Sequence, residues 1–468
     1  MMKRITLTGL AFCLAVVPAW GNEEAQSAKT DSQTAATVPT PAEAHVKTLD
    51  LQAAQRLALK GNPGIGAAQA RIEQAKAKIQ QAIASQRPSL DALANFNAQG
   101  DEGGDISESS SLGLQGTWLL FDGHARKFQQ EQAEQGEKAA GEAKRNSQRL
   151  LVAAVADAFY NAQLAKTSID IAIADQSFYE QQLNDAQHRF DAGAGSWGDV
   201  LNIRVQVNTA KNSVITTKQQ YEAARYGLAA LLAVEDSALP ELAELEQNFV
   251  PSEEELASDT ESLIREALQH RPDMKRLAWQ IKAANFGIKQ AEAQDAPKVQ
   301  VRGQAGAASQ ENLFPASDDL NASVALALSW NLYSGGAVEA AAVEARQVKR
   351  ETVYSHADLR NSIAAEIRQA AALLAAAGRQ LRLQQETVDL VTENRKLAKS
   401  EYEAGAASLT RLNEAQRDLT ATYGRLAQAV AGYHQARHKL LSASGRNLVP
   451  FADLLEATVQ EPKTEATK

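Results

Sequence analysis

The chain has 468 residues, of which 44% are hydrophobic but only 5% aromatic, and a formal net charge of −9. That acidic balance excludes the clustered basic surface of a nucleic-acid binder, and a single cysteine excludes a disulfide framework. Ala carries much of the apolar content, which suits helices packed closely through small side chains.

Lys3 and Arg4 form a short basic region, Leu7 to Val17 an apolar one, and Ala19-Trp20-Gly21 a small-x-small cleavage site. Residues 1–21 therefore read as a secretory signal peptide, too short to be a transmembrane helix. Cys13 lies inside its apolar region, and Phe12 before it argues against a lipoprotein. The exported chain then has no cysteine, and no later apolar run is long enough for a helical membrane span. Residues 22–47, rich in Ala, Thr, Ser, Pro, Gln and Glu, are expected to form a disordered linker.

From Thr48 a helical pattern starts with Leu49, Leu51, Ala54, Leu57 and Ala58, and breaks at Gly61-Asn62-Pro63. Asn62 suits an N-cap with Pro63 at the first helical position of a second helix, which Pro88 stops. The period then changes to two. Leu90, Ala92, Ala94 and Phe96 alternate with polar residues, as do Leu112, Leu114, Gly116, Trp118 and Leu120. They predict strands at about 88–98 and 111–121, each with one apolar and one polar face, around a polar loop at 99–110. A helix-forming stretch without proline follows over 123–190, a rod of roughly 100 Å at 1.5 Å per residue. A turn at Asp191-Ala192-Gly193-Ala194-Gly195 leads to a shorter helix from Ser196 to about Ala233.

The series then recurs. Pro88 matches Pro297 at an offset of 209, and Phe190-Asp191-Ala192-Gly193 matches Tyr402-Glu403-Ala404-Gly405 at 212. The chain divides into a first repeat (48–233), an acidic connector (234–260), a second repeat (261–445) and a tail (446–468). The second repeat holds strands at about 298–307 and 322–332 and a long helix over 335–402.

Each repeat supplies two amphipathic strands of about the length that crosses an outer membrane. Four strands cannot close a barrel, and open edges do not survive in lipid, so several copies must pool their strands. The alternative is a small soluble hairpin sheet at the base of a coiled coil. In its two repeats of helix, strand, strand, long helix and short helix, with Phe121-Asp122-Gly123 or Tyr333-Ser334-Gly335 after the second strand and Tyr402-Glu403-Ala404-Gly405 at the turn, the chain resembles the TolC-like outer membrane efflux proteins over about residues 48–445. The resemblance implies a mainly α protein with membrane β: a homotrimer whose twelve-stranded β-barrel in outer membrane lipid continues into a periplasmic α-helical barrel. The connector would then be equatorial, a belt around the tunnel together with the tail. It also implies a periplasmic adaptor, an inner-membrane RND, ABC or MFS pump, and no cofactor.

By the same resemblance the turns are periplasmic tips that meet the adaptor, at Gly193, Gly195, Ser196, Gly405 and Ser408. Gly193 and Gly405 stand where a left-handed residue reverses the chain, which a plain helix hairpin requires as well. Asp199, Asn202, Tyr402, Arg411 and Glu414 correspond to a gate or constriction. Family members carry two acidic residues per copy at the places of Arg411 and Glu414, so Arg411 is a departure, and an Arg that some members carry after the tip glycine is replaced by Ala407. Local readings stand beside these: a Ser196-x-x-Asp199 capping box and an Arg411–Glu414 pair at i,i+3. Arg411 reaching Asp199 of a neighbouring hairpin is a further reading. Trp118, Phe121, Trp330 and Tyr333 are expected as membrane-interface aromatics, with strand packing as the plainer account. Arg302 is expected to face the lumen.

No catalytic constellation stands out. His434-x-x-x-His438 lacks the Glu of a hydrolytic zinc helix and reads as a solvated pair. The sequence therefore points to an exit duct of an efflux pump or type I secretion system, not an enzyme. The competing reading is an exported periplasmic coiled-coil structural or adaptor protein without a channel.

Overall fold

The computed structural model describes residues 48–100, 106–235, 238–246, 248–252, 259–309 and 320–457. The expected signal peptide (1–21) and linker (22–47), parts of the connector and the end of the tail lie outside the described residues. The first repeat comprises α1 (Leu51–Gly61), α2 (Pro63–Ala84), β1 (Ser89–Gly100), β2 (Ile106–Phe121), α3 (Ala125–Asp191) and α4 (Trp197–Leu232). The second comprises α5 (Thr260–His270), α6 (Pro272–Glu292), β3 (Lys298–Ser309), β4 (Leu320–Ser329), α7 (Ala337–Glu403) and α8 (Leu409–Ser444). A 3-10 turn, Arg446–Phe451, leads into α9 (Ala452–Ala457). The halves match in length: α3 and α7 each have 67 residues, and α4 and α8 each have 36.

Local chemistry sets the element ends. Asp50 caps α1 by accepting from the Ala53 amide at 2.6 Å, and Asn62 caps α2 by accepting from the Gly64 amide at 2.8 Å, with Pro63 in the first turn. Both long helices start two residues later than their opening glycines. Gly123 (φ 67°) and His124 (φ 70°), like Gly335 (φ 67°) and Gly336 (φ 84°), take left-handed backbone to turn the chain out of the sheet. Gly123 has no room for a side chain, since a Cβ there would stand 2.3 Å from that of Ala296.

The four strands form one antiparallel sheet in the order β1-β2-β3-β4, so the two repeats join at the β2–β3 pair. At that joint Gly113 faces Gly306, and a Cβ on Gly306 would meet the Leu112 carbonyl at 2.5 Å. The polar run expected as a loop is partly strand: Asn97 pairs with Ser109 and Ala98 with Glu108. Backbone pairing continues there above the apolar band, although the side chains no longer alternate.

The helical core consists of long-helix seams. Ile363, Ile367, Leu374 and Leu381 of α7 cluster with Leu426, Val430 and Tyr433 of α8. Val155 and Phe159 of α3 cluster with Leu228 and Leu232 of α4, and with Leu239 and Leu242 of the connector. The connector is strapped on by a bridge between Leu49 and Leu242 and by the Gln163 amide donating to the Ala243 carbonyl at 2.7 Å. The tail docks through Leu448 and Phe451 against Leu59 and Val152.

The duplication leaves two strained mismatches, His124 opposite Gly336 and a second at the end of α4. Gly445 ends α8 in the left-handed region (φ 79°), whereas its counterpart at the end of α4 is Ala233 (φ 55°). A left-handed alanine costs about 1 kcal/mol. Ala233→Gly is therefore expected to stabilise the protein by about 1 kcal/mol, read as a raised thermal unfolding midpoint. An unchanged or lowered midpoint would show that the strain is not there to relieve.

Candidate functional site

The two helical tips are built alike. Gly193 (φ 74°) and Gly405 (φ 76°) are both left-handed. The Ala194 amide donates to the Arg189 carbonyl and the Ala406 amide to the Glu401 carbonyl, each at 2.8 Å, which satisfies the last turns of α3 and α7. Gly195 lies so close to α3 that a Cβ would stand 3.1 Å from Arg189 Cβ, whereas the second tip has Ala407 at this place. Ser196 caps α4 by accepting from the Gly198 amide at 3.1 Å, and Ser408 caps α8 by accepting from the Arg411 amide at 3.4 Å. The first bond reaches Gly198 and not Asp199, so the cap there differs from the expected box.

Arg189 and Glu401, which the sequence reading overlooks, organise these tips. They occupy the same place in the two repeats with opposite charge. The Arg189 guanidinium lies over the Tyr402 ring at 4.8 Å, tying α3 to α7. Glu401 takes Arg411, Nε to Oε2 at 3.2 Å, so Arg411 is paired across its own hairpin with Glu401 and not along α8 with Glu414. Arg411 folds back because Glu401 ends the facing helix. Asp199 is half-buried, and Asn202 and Glu414 are exposed. Phe190 and Trp197 close the first tip with ring centroids 5.1 Å apart.

Further up the same helices is a polar clasp. Asp175 of α3 accepts from Thr420 at 2.7 Å and from Gln416 at 3.0 Å, both on α8. The Gln416 side-chain oxygen in turn accepts from Arg395 of α7 at 3.1 Å, and the Arg395 guanidinium covers Phe178. One buried glutamine thus ties three helices. Beside it the Tyr179 hydroxyl is pushed up to about 12 by burial and by the Asp175 charge.

At the opposite end of α8, beside the middle of α7, sits a buried ionic cluster. Arg271, 3% exposed, forks onto Asp273 with bonds of 3.1 and 2.7 Å, reaches Glu366 at 2.7 Å and donates to the Ala443 carbonyl at 2.8 Å. Arg149 of α3 donates to the Ser442 carbonyl at 2.8 Å and lies 3.7 Å from Asp273. Burial works to raise the Asp273 carboxyl, but the bonds and charge of Arg271, with Arg149, outweigh it and hold the group below its ordinary range. The first repeat has a neutral version of this joint: Asn62, the counterpart of Arg271, donates to the Leu231 carbonyl at 2.9 Å.

The histidine pair is not solvated as expected. His434 stacks on Tyr160 at 4.9 Å, and His438 lies 5.7 Å from the same ring. Burial, with the charges of Arg437 and His434, lowers His438 to about 4. The helix face that reads as polar is covered by α3, a contact no local pattern encodes. Among the described residues no group of three or more His, Cys, Asp or Glu is placed to hold a metal ion.

At the other extreme stands the sheet. Every residue of β1 and β4 is exposed. One face carries Leu90, Phe96, Leu112, Leu114, Val324 and Leu326; the other carries Asp91, Asn95, Gln115, Arg302 and Gln304. Arg302 is thus on the polar face. The Trp118 indole donates to the Gln86 carbonyl at 3.2 Å and the Trp330 indole to the Asp295 carbonyl at 2.9 Å, duplicate bonds that fix both rings at the foot of the sheet. Phe121 packs edge-on to His124 at 5.8 Å, and Tyr333 is 86% exposed. Trp330 and Tyr333 lie beyond β4, because its one partner strand begins at Lys298, opposite Ser329. Among the described residues no helix is long and apolar enough to cross a membrane.

A duplicated chain whose long helices run from capped tips to a sheet with an uncovered apolar face is the wall segment of a helical barrel joined to a membrane β-domain. The model for the outer membrane efflux protein family matches residues 54–234 and 263–446, and the chain belongs to that family, one of transport channels in the outer membrane. The toluene efflux pump outer membrane protein TtgF of Pseudomonas putida is 29% identical over 289 residues, covering 60% of this chain and 58% of TtgF. The alkaline protease secretion protein AprF of Pseudomonas aeruginosa is 28% identical over 219 residues, covering 46% of this chain and 44% of AprF. The chain thus spans about half the length of these curated relatives. The CmeC outer membrane channel of Campylobacter jejuni shares the fold, with a TM-score of 0.73 at 15% identity over 87% of this chain and 89% of that one.

Proposed function

We propose that the protein is the outer membrane exit duct of a tripartite efflux pump or a type I secretion system, assembled as a homotrimer. The sheet carries this reading. Among the described residues its four strands have two edges without a partner strand, and the apolar side chains of the outer strands are exposed. An uncovered apolar face of this size is not favoured in water, and an open edge is not stable in lipid. Three copies supply twelve strands, enough to close a barrel with the apolar face toward lipid and Arg302 and Gln304 toward the lumen. The long helices carry the conduit into the periplasm, where the tips around Gly193 and Gly405 meet an adaptor and, through it, an RND, ABC or MFS pump. The chain itself performs no chemistry; the pump supplies energy and selects cargo. TtgF is named for toluene efflux and AprF for protease secretion, and a passive duct suits either kind of cargo.

The test is the detergent-extracted protein: light scattering should give three copies, and planar bilayers should show discrete conductance steps. A monomer without conductance would overturn the reading. At the tip, Arg411→Ser removes one positive charge per copy and releases Glu401. The reversal potential under a salt gradient is expected to shift toward cation selectivity, while stability changes by less than about 1 kcal/mol because the pair is exposed. An unchanged reversal potential would remove Arg411 from the constriction.

A further inference from the structure

Where the chain turns back after α8, it leaves a cavity of about 650 Å³ between α1, α3, α8 and the 3-10 turn. That volume lies within the roughly 300–1,000 Å³ of small-molecule pockets. Leu51, Val152, Leu441 and Phe451 make its base apolar. The Tyr160 ring, backed by His434, gives it an aromatic wall beside His438. Arg437 and Arg446 bring two positive charges, against the single carboxylate of Glu266, which Arg446 holds. Several uncharged polar groups there are idle. Among the described residues the Tyr160 hydroxyl and the ring nitrogens of His438 make no hydrogen bond. Asn447, 5% exposed, donates from Nδ2 to the Arg149 carbonyl at 2.8 Å, which leaves its buried Oδ1 without a donor. A buried acceptor in that state is destabilising until a donor reaches it.

Packing shared by the two halves does not account for this set. The duplicated positions hold Ala372 for Tyr160, Tyr226 for His438 and Glu235 for Asn447, so it occurs once per chain. Burial raises the Tyr160 hydroxyl and, with the charges of Arg437 and His434, lowers His438 to about 4. At neutral pH both groups are therefore uncharged donors. We propose that this pocket binds a small aromatic hydroxycarboxylate. Its ring lies on the apolar base against Tyr160, and its carboxylate accepts from Tyr160, His438 and the Arg437 guanidinium. Its hydroxyl donates to Asn447 Oδ1. Every residue comes from one chain, so the inference does not depend on the trimeric reading.

The test is equilibrium dialysis of coumarate against the full-length protein in lipid nanodiscs, with empty nanodiscs as the blank. Coumarate carries its carboxylate and hydroxyl at opposite ends of one ring system and is expected to saturate at one molecule per chain. Cinnamate, which lacks the hydroxyl, should bind about fivefold more weakly, and coumaryl alcohol, which lacks the carboxylate, about tenfold. Tyr160→Phe keeps the ring and should weaken coumarate about fivefold, and Arg437→Ala about tenfold. Val449, 71% exposed, lines the cavity from the turn, so Val449→Trp should block it without disturbing the core. No saturable binding above the blank overturns the inference. Binding that survives Val449→Trp places the ligand elsewhere, the lumen included, and overturns it too. Equal binding of the three compounds overturns the ligand class. If Val449→Trp does not assemble, unchanged affinity in both Tyr160→Phe and Arg437→Ala overturns the site.

Discussion

Arg271→Ala is expected to cost about 3–5 kcal/mol, the range for removing one partner of a buried ion pair. The variant would leave Asp273, 7% exposed, without its fork and the Ala443 carbonyl without its donor. Asn62→Ala at the equivalent neutral joint should cost only about 2 kcal/mol, since an uncharged hydrogen bond to the Leu231 carbonyl and the N-cap on the Gly64 amide are lost. Thermal unfolding of the two variants beside the wild type measures the contrast, and equal losses would mean that the ionic cluster is no stronger than the amide it parallels. The difference should depend on pH. The Asp273 carboxyl is held below its ordinary 3.8, so its contribution in the wild type is complete above that value and is lost as pH falls through the lower folded value. In Arg271→Ala the same carboxyl is buried without its main partner. Protonation then relieves the variant while it weakens the wild type, so the gap narrows in acid.

Leu326→Arg should be the other large loss. Leu326 lies on the apolar face of β4, opposite Val301, and is 71% exposed. An arginine facing lipid near the bilayer midplane costs about 2–4 kcal/mol, and a trimer would bear this once per copy. Outer membrane fractions of cells making the variant are expected to lack the assembled trimer. Ser323→Lys, on the polar face opposite Gln304, should assemble normally because its charge meets the lumen. If Leu326→Arg assembled as well as Ser323→Lys, the apolar face would not be the lipid face.

The fold was legible because its signals are local and occur twice. Alternation of Leu90, Ala92, Ala94 and Phe96 against polar neighbours marks a two-faced strand wherever it is read, and Asn62-Pro63 marks a helix start. Element ends were less legible where backbone outlives side-chain pattern, as in the polar rungs around Ser109. Much of the site was not legible, for a physical reason. Arg149 finds Ser442 across 293 residues, and Gln416 finds Asp175 across 241, so no window of sequence holds both partners. Arg189 and Glu401 could have been found by aligning the repeats and asking where charge inverts. His438 could not, since its burial comes from a neighbouring helix.

The unequal pair of joints, Asn62 in one half and Arg271 in the other, has a consequence for how such a tube can move. Six identical halves would all have to yield or hold together, because any change to one is a change to every one. A fused pair escapes that constraint. Within each chain the end of α8 is bolted to the short helices before it by guanidinium and carboxylate, Arg149 of α3 sharing in the cluster, while the end of α4 is pinned to its own by a single amide. A ring built from them has alternating stiff and compliant staves, so a pull on the tips can be taken up by every second hairpin while the rest keep the wall in place.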